Sequence, residues 1–301
     1  MAEYKRIILD TDIGGDPDDS VALSYLFEAE KAGLCRLLGI TTCSDNAYGA
    51  ACAGGIARYY GRELPIGQLK LPGVDITEDN IESYPGTYSK PVADAFGGKP
   101  DYFSAPEALD VLKRLLAAAE AHVTLVTIGK LSNIRDLITD PEGKELLRER
   151  CAEIAIMGGD FRHNADVSLE PHAEFNIVGD IASAAYVVEN SPVPLALSPY
   201  ELGLTILTGK PLIEKYGKNH PAAMALMLNG CNDGRSSWDP STALYAVEGE
   251  AGVMKLSEKG FVSVRENGVT DFKADPAGHC RILSAASDPQ KIADRINSYF
   301  R

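Results

Sequence analysis

Apolar residues recur along the chain in two alternating patterns, short apolar runs and longer amphipathic stretches. The runs, bounded by polar or turn residues, predict strands at residues 5–10, 36–42, 123–128, 153–157 and 193–197. Between them, apolar side chains at helical spacing predict helices from residue 18 onward and over 47–60, 106–121, 131–138 and 180–189. Strands that alternate with helices are typical of a parallel sheet covered on both faces. We therefore predict an α/β fold, an open and mostly parallel sheet with a Rossmann-like core.

The second part of the chain has weaker patterns. They predict helices at 211–216, 221–228, 240–247 and 288–300, and late strands at 261–264 and 280–283. Residues 64–100 are rich in proline and glycine and have little periodicity, which predicts a long loop, either a lid or an irregular surface segment. Since no repeat, low-complexity tract or linker interrupts the chain, we expect one domain over residues 1–301.

Charge narrows the function classes. The 301 residues include 29 Lys+Arg and 43 Asp+Glu, giving a formal net charge of −14. Such an acidic chain is not expected to bind nucleic acid polymers or anionic membrane surfaces. Its apolar runs fall short of the ~18 residues of a membrane span, and residues 7–9 fall short of the roughly 7–15 residues of a secretory core. We therefore expect a cytoplasmic protein.

The first predicted strand ends in a cluster of acids. Residues 10–19 contain five carboxylates: Asp10, Asp12, Asp16, Asp18 and Asp19. In parallel sheets, ligands bind at the carboxyl ends of strands, where these acids lie. Carboxylates held close together repel one another unless a cation joins them, and oxygen ligands suit Ca²⁺ or Mg²⁺. A solvated acidic turn that caps a helix is the alternative, but a cap needs one carboxylate.

Three kinds of metal site compete for this cluster. An EF-hand loop starting at Asp10 would need an oxygen ligand at its fifth position and Glu at its twelfth, and the chain has Gly14 and Val21 there. A phosphatase of the haloacid dehalogenase type also places Asp-x-Asp after its first strand. Asp10 and Asp12 fit that pattern, but Gly14 stands where Thr or Val is usual. The phosphatase stays as a third hypothesis behind the two that follow.

The third kind of site carries the closest resemblance. Residues 10–14 (DTDIG) and the acid pair at 18–19 resemble the opening of the nucleoside hydrolase family. Further segments agree in order: GITTCSDN at 39–46, VTIGKLSN at 126–133, MGG at 157–159, Asn164, AEFN at 173–176 and WDP at 238–240. Each match is weak alone, but together they extend over most of the chain in the family's order.

The resemblance implies a Ca²⁺-dependent ribohydrolase that acts on a small-molecule riboside and forms a homodimer or homotetramer. It implies that Asp12 binds the metal and takes a proton from metal-bound water. Asp19, Asp239 and the backbone carbonyl of Ile128 complete the implied ligands. The residues implied to bind ribose hydroxyls are Asp18, Asn46, Asn164, Glu174 and Asn176.

Two departures from the family pattern affect the site. Asp16-Pro17 lengthens the first turn, which leaves open whether Asp16 or Asp18 contacts the sugar. Trp238 stands where members have a histidine that protonates the leaving base; an indole N–H only donates a hydrogen bond, although its ring can stack on a base. His163 and His172 are the nearest alternative acids. Residues 84–96 also lack the family's H-G-x-D-G loop.

Trp238 and the missing H-G-x-D-G loop both fall on the base-binding side. We therefore expect sugar recognition to be retained and the leaving group to be open. The alternatives are a non-nucleoside glycoside as substrate, or a ribose or ribonucleoside binder that has lost leaving-group activation.

Overall fold

A ten-stranded sheet forms the centre of the computed structural model, which describes residues 4–70 and 73–301. The strands, in chain order, are β1 (Lys5–Thr11), β2 (Cys35–Thr42), β3 (Ile66–Gln68), β4 (Val123–Ile128), β5 (Cys151–Met157), β6 (Leu195–Ser198), β7 (Leu207–Thr208), β8 (Arg235–Ser236), β9 (Met254–Leu256), β10 (Gly260–Val264), β11 (Thr270–Ala274) and β12 (Cys280–Ala285). Strands β7 and β8 form a separate two-stranded sheet.

The order across the large sheet is β11-β10-β12-β6-β5-β4-β1-β2-β3, and β9 pairs with β12. From β3 to β12 every neighbouring pair is parallel, while β9, β10 and β11 run antiparallel to their partners. Chain order reverses at β1, between β2 and β4. This arrangement confirms the predicted open and mostly parallel sheet, and a reversal of this kind opens a ligand crevice beside the strand ends.

Helices cover both faces of the sheet. They are α1 (Asp18–Lys31), α2 (Gly49–Tyr59), α3 (Ser89–Phe96), α4 (Ala108–Ala118), α5 (Ser132–Thr139), α6 (Pro141–Arg150), α7 (Arg162–Ala165), α8 (Phe175–Gly179), α9 (Ile181–Asn190), α10 (Tyr200–Gly203), α11 (Lys210–Tyr216), α12 (Pro221–Leu228), α13 (Trp238–Glu248) and α14 (Gln290–Ser298), with 3-10 turns at Ile81–Ser83 and Gly217–Asn219. Among the described residues, no helix is both long and apolar enough to span a bilayer.

Side chains of β1 alternate between two apolar cores, one on each face of the sheet. Ile7 and Leu9 belong to the core formed with α1, α2, α13 and α14, whereas Ile8 belongs to the core formed with α4, α5 and α9. All three isoleucine and leucine side chains are completely buried. Alternation of this kind follows from the pleat of a strand, and it leaves the strand ends as the place where polar side chains meet a ligand.

Several short elements were not predicted from the sequence, and two regions show why. Residues 64–100 contain β3, which pairs with β2 through Ile40 and Ile66, and α3; Leu71 and Pro72 of this segment lie outside the described residues. Helix α6 was not predicted because its exposed residues are mostly charged and it has no apolar stripe. Asp140 caps it by accepting the backbone N–H of Gly143 at 2.7 Å, and Pro141 occupies its first turn.

Candidate active site

A cavity of about 1170 Å³ opens at the carboxyl edge of the parallel sheet. Its lining includes residues that follow or end four strands: Asp12 after β1, Asn46 after β2, Ile128 in β4 and Met157 in β5. The sequence places these residues far apart, and the parallel register brings them to one edge. This is the position in which open α/β sheets bind small ligands.

Four carboxylates of the cavity lining form a group that we call the acidic floor: Asp12, Asp18, Asp19 and Asp239. Carboxylate oxygens of Asp18, Asp19 and Asp239 lie within 4.8 Å of one another, and all three side chains are buried. Asp18 and Asp19 come from the first turn of α1 and Asp239 from the first turn of α13, where helix dipoles favour negative charge. The backbone N–H of Asp239 donates to Asp18 at 3.1 Å and joins the two helix starts.

Burial and mutual repulsion act together on the acidic floor. Burial first, then neighbouring carboxylates, hold the pKa of Asp18, Asp19 and Asp239 well above the usual range. Burial raises the pKa of Asp12 to about 7. The cationic side chains nearby are engaged elsewhere, because Arg235 binds Asp16 and Lys130 binds Asp45.

This donor set fits a hard divalent cation. It consists of carboxylate oxygens whose ionisation is unfavourable without a positive charge between them, and Ca²⁺ accepts six to eight oxygen ligands in flexible geometry. Ile128, whose carbonyl the resemblance implied as a ligand, lines the same cavity. The group of close carboxylates contains Asp18 as well as Asp19 and Asp239, so Asp18 belongs with the floor and not only with the sugar side.

The remaining two acids of residues 10–19 have other partners. Asp10 is fully buried and accepts hydrogen bonds from Thr41 at 2.6 Å and from Asn133 at 2.7 Å, which ties β1 to β2 and α5. Burial still raises its pKa to about 6. Asp16 makes a bidentate pair with Arg235, with oxygen–nitrogen distances of 2.9 and 2.6 Å. Asp10 therefore stabilises the fold, and Asp16 pairs with Arg235 at the mouth of the cavity.

Three polar side chains that line the cavity with the acidic floor could bind a sugar: Glu174, Asn176 and Asn46. Glu174 accepts the backbone N–H groups of Gly159, Asn176 and Ile177 at 3.2, 2.9 and 3.2 Å. Burial outweighs these hydrogen bonds and raises the pKa of Glu174 to about 7. The Asn176 amide donates to the carbonyl of Met157 at 3.2 Å. Both are held at the end of β5 and line the cavity.

Asn46 faces the floor from the end of β2. Its amide donates to the carbonyl of Ile13 at 3.1 Å, and its side-chain oxygen accepts from Ser89 at 2.9 Å. Gly14 lies against this amide with a φ of +133°, and a Cβ there would lie 2.4 Å from the Asn46 nitrogen. The backbone N–H of Thr87 donates to Gly14 at 2.7 Å, so part of the predicted loop closes one side of the cavity.

The opposite side carries a row of rings that we call the aromatic wall: His172, Tyr200 and Trp238. The rings of Tyr200 and Trp238 stack at 5.6 Å, and those of His172 and Tyr200 lie 4.8 Å apart. The indole N–H of Trp238 donates to the backbone carbonyl of Tyr200 at 2.8 Å. Because this N–H is already used within the protein, Trp238 offers a ligand its ring and not a proton.

Two of the predicted site residues, Asn164 and His163, are not among the residues that line the cavity. Asn164 is exposed, and its side-chain oxygen accepts the backbone N–H of Phe272 in β11 at 2.8 Å. His163 is buried, with Nε2 3.1 Å from Asp271. The cause is the short helix α7, which turns both side chains toward β11. His172, the other candidate acid, does line the cavity.

Some cavity residues were not found from the sequence. Tyr200 lines the cavity and follows β6, and Asp160 lies behind the cavity lining, follows β5 and contacts His172, so a search of every strand end would have found both. Arg235 gave no signal, since its pairing with Asp16 joins positions 219 residues apart.

The comparisons with known proteins agree with this geometry. The sequence profile of the family described as "Inosine-uridine preferring nucleoside hydrolase" matches residues 7–282. The chain belongs to this family. It is 30% identical over 211 residues to the pyrimidine-specific ribonucleoside hydrolase RihB of Escherichia coli, a match that covers 66% of the chain and 61% of that relative. The chain thus spans about three fifths of the length of the curated nucleoside hydrolase.

Solved nucleoside hydrolases have the same fold. A plant nucleoside hydrolase, PpNRh1, superposes with a TM-score of 0.71 at 18% identity and covers 99% of both chains. The inosine-uridine preferring nucleoside hydrolase of Bacillus anthracis gives the same TM-score and identity over 99% of this chain and 98% of that one. At this identity the likeness concerns the fold, and it confirms the mostly parallel sheet flanked by helices.

Proposed function

We propose that this nucleoside hydrolase family member is an enzyme that hydrolyses the N-glycosidic bond of a ribonucleoside, with Ca²⁺ bound at the acidic floor. The observation that carries the proposal is the floor itself: four carboxylates at the strand ends of one cavity, three of them with oxygens within 4.8 Å. The family profile and the name of the E. coli relative, a ribonucleoside hydrolase, support the reaction class.

Asp12, Asp19, Asp239 and the Ile128 carbonyl would hold the ion, with Asp18 beside them. Bound there, Ca²⁺ supplies the positive charge that lets the carboxylates ionise together and makes a nearby water more acidic. A phosphatase reading would also need Asp10 at the site, and Asp10 instead has its hydrogen bonds inside the fold.

The chain's own residues divide the remaining work. Asp12 takes a proton from the attacking water as the carboxylate nearest to it on the floor. Asp18, Asn46, Glu174 and Asn176 hold the ribose hydroxyls and fix the sugar relative to that water. As the bond to the leaving base stretches, the sugar gains positive charge, which the floor carboxylates stabilise.

Calcium removal tests the proposal. Protein treated with a chelator is expected to lose hydrolysis of both a ribonucleoside panel and p-nitrophenyl riboside, and added Ca²⁺ is expected to restore both. The nitrophenyl compound needs no proton at its leaving group, so it reports on the floor alone. Full activity in the chelated protein, or no hydrolysis of any of these ribosides with Ca²⁺ present, would contradict the proposal.

A second candidate function is binding of a ribonucleoside without catalysis. It is favoured by Trp238, whose ring occupies the family's acid position and whose N–H is bound to Tyr200. Calorimetry that detects ribose or ribonucleoside binding, together with no turnover of any panel member, would establish it. Hydrolysis of a non-nucleoside glycoside is the related alternative, and the same panel extended to such glycosides separates the two.

Two further expectations belong with this proposal, a cytoplasmic location and a homodimer or homotetramer. Cell fractionation and light scattering measure them directly. Neither is needed for the chemistry of the floor, which a single chain supplies.

A further inference from the structure

His172 has the features of a proton donor aimed into the cavity. Its side chain is 44% exposed, and Nδ1 lies 3.1 Å from Asp160 Oδ2. Since Nδ1 faces this carboxylate, Nε2 is the nitrogen left for a ligand. Among the described residues that line the cavity, His172 is the sole histidine.

Asp160 is held so that it orients the imidazole. It is 1% exposed, and Arg162 binds both of its oxygens at 3.0 and 3.1 Å through Nε. Its backbone N–H donates to Thr270 at 3.0 Å. The pKa of Asp160 lies below its usual range although burial opposes this, because Arg162 donates to it. A carboxylate held by these hydrogen bonds fixes the orientation of the imidazole ring, because it engages Nδ1.

The aromatic wall lies next to the residues proposed to bind the sugar, because two of its members are their neighbours along the chain. Trp238 directly precedes Asp239 of the acidic floor, and His172 lies two residues before Glu174. Tyr200 is packed between the other two rings. The approach of α10 to α13 is tight: a Cβ at Gly203 would lie 2.5 Å from the Trp238 Cα. A base attached to ribose at the floor would therefore meet the wall.

We infer that His172 protonates the leaving group and that the aromatic wall receives a planar nitrogen heterocycle. This inference rests on the function proposed above and adds to it the missing acid. As water oxygen bonds to the anomeric carbon, its proton passes to Asp12. The carbon–nitrogen bond breaks with its electron pair going to the heterocycle, whose nitrogen takes a proton from Nε2 of the imidazolium. His172 is left neutral and Asp160 remains ionised.

The other groups near the wall do not meet these requirements. Trp238 has used its N–H, and His163 lies outside the cavity beside Asp271. Glu201, whose pKa burial raises to about 7, accepts the backbone N–H of Phe161 at 3.2 Å and is not among the cavity-lining residues. His172 combines a place in the cavity lining, an open ring nitrogen and an orienting carboxylate, which is the arrangement that general acids have.

The experiment compares two leaving groups in the calcium-loaded protein. His172→Gln is expected to lower kcat on inosine or uridine by roughly 10²–10⁴-fold, the usual contribution of a general acid. The same variant should keep activity on p-nitrophenyl riboside within about threefold, because nitrophenolate leaves without a proton. His163→Gln is the matched control, and it should leave the ratio of the two activities unchanged.

Each outcome decides a different statement. Equal losses on both substrates, or no loss on either, would overturn the acid role of His172. A parent protein that hydrolyses only p-nitrophenyl riboside has a working floor without an acid, which overturns this inference and leaves the floor mechanism standing. A calcium-loaded parent that hydrolyses neither compound removes the proposed function and the inference with it.

Asp160 is a positioning residue in this scheme, so a pH profile tests it. The charged or titratable groups around the imidazole are Asp160, Arg162 and Tyr200, with Glu201 beyond Asp160. Asp160→Asn removes the charge that balances the imidazolium, so the alkaline limb of kcat on inosine is expected to move to lower pH. The profile on p-nitrophenyl riboside should not move. A shift in both profiles would contradict the positioning role of Asp160 and would show a general structural effect of the substitution.

Discussion

The acidic floor and the aromatic wall share one cavity but are built in different ways. The floor side chains Asp18, Asp19 and Asp239 are 2%, 2% and 5% exposed, and two helix N-termini hold them at the strand ends. Of the wall residues, His172 lies in a loop after β5 and Tyr200 begins the short helix α10 after β6, while Trp238 begins α13 beside Asp239; all three rings are partly exposed. The floor is electrostatically incomplete without a cation, whereas on the wall the Trp238 N–H and Nδ1 of His172 already have partners within the protein.

The difference indicates which part of the chemistry the fold determines. Strand ends and helix starts hold the four floor carboxylates close together, which suits a metal and a sugar. Loops tolerate substitution and carry specificity. The histidine position of the family, occupied here by Trp238, lies on the wall, while every floor carboxylate expected from the family pattern is present.

The largest predicted effect concerns the floor. Asp12→Asn is expected to lower kcat by roughly 10²–10⁴-fold on a ribonucleoside and on p-nitrophenyl riboside alike, because the water loses its base whatever the leaving group. Steady-state kinetics on both substrates checks this. Asp94→Asn, an exposed carboxylate 2.9 Å from Lys90, is the control and should leave kcat unchanged. A loss limited to the ribonucleoside would place Asp12 on the leaving-group side.

A smaller effect concerns stability and pH. Burial raises the pKa of Asp12 and of Glu174 to about 7 in the folded state, above the ordinary values of 3.8 and 4.5. Between these values the folded protein binds more protons than the unfolded chain, so without Ca²⁺ the free energy of unfolding falls as pH rises. The slope is about 1.4 kcal/mol per pH unit for each such group. Asp160 on the wall has a lowered pKa and adds no slope in this range.

Thermal unfolding from pH 5 to pH 7.5, with chelator and with Ca²⁺, measures that slope. Calcium is expected to flatten it, because the ion keeps the floor carboxylates charged in the folded state. Asp12→Asn should remove the Asp12 part of the slope in the chelated protein. An equal pH dependence with and without Ca²⁺ would mean that the ion does not bind at the floor.

The smallest effect separates Asp16 from Asp18. Asp16 pairs with Arg235 at the half-exposed cavity mouth, where such a pair contributes about 0–1 kcal/mol. Asp16→Asn should therefore change KM and the Kd for Ca²⁺ by no more than about fivefold. Asp18→Asn, within the buried floor, should weaken Ca²⁺ binding by more than about tenfold. Calorimetric Ca²⁺ titration of both variants decides between them, and the reverse order would assign Asp16 to the floor.

The helices and strands could be predicted where burial requires a regular pattern of apolar residues in the sequence. The apolar run in residues 5–10 and the amphipathic stretch after residue 18 predicted β1 and α1. Strand β3 was missed because three residues carry too little pattern, and its pairing with β2 stabilises it. Helix α6 was missed because its charged surface has no apolar stripe. Its N-cap and its packing against the rest of the fold stabilise it instead.

The candidate site shows the same division. Five carboxylates in residues 10–19 indicated a cation site, because such a cluster is unusual without a cation. The Trp-Asp-Pro segment at 238–240 added Asp239 through its resemblance to the family pattern. The sequence left the Asp16 and Asp18 roles open, and it named two histidines as candidate acids. The structure distinguishes the members of each pair by their neighbours. Asp16 pairs with Arg235, unlike Asp18, and His163 lies beside Asp271, unlike His172.

The sequence by itself determined the α/β alternation, the family and the carboxylates of the floor, because these depend on local pattern and on residue type. Only the tertiary structure decided which carboxylates face one another, that the Trp238 N–H is bound to Tyr200, and that His172 rather than His163 lines the cavity. The physical reason is that hydrogen bonding and charge depend on distances of about 3 Å between residues far apart in the chain. A local pattern carries no information about such distances.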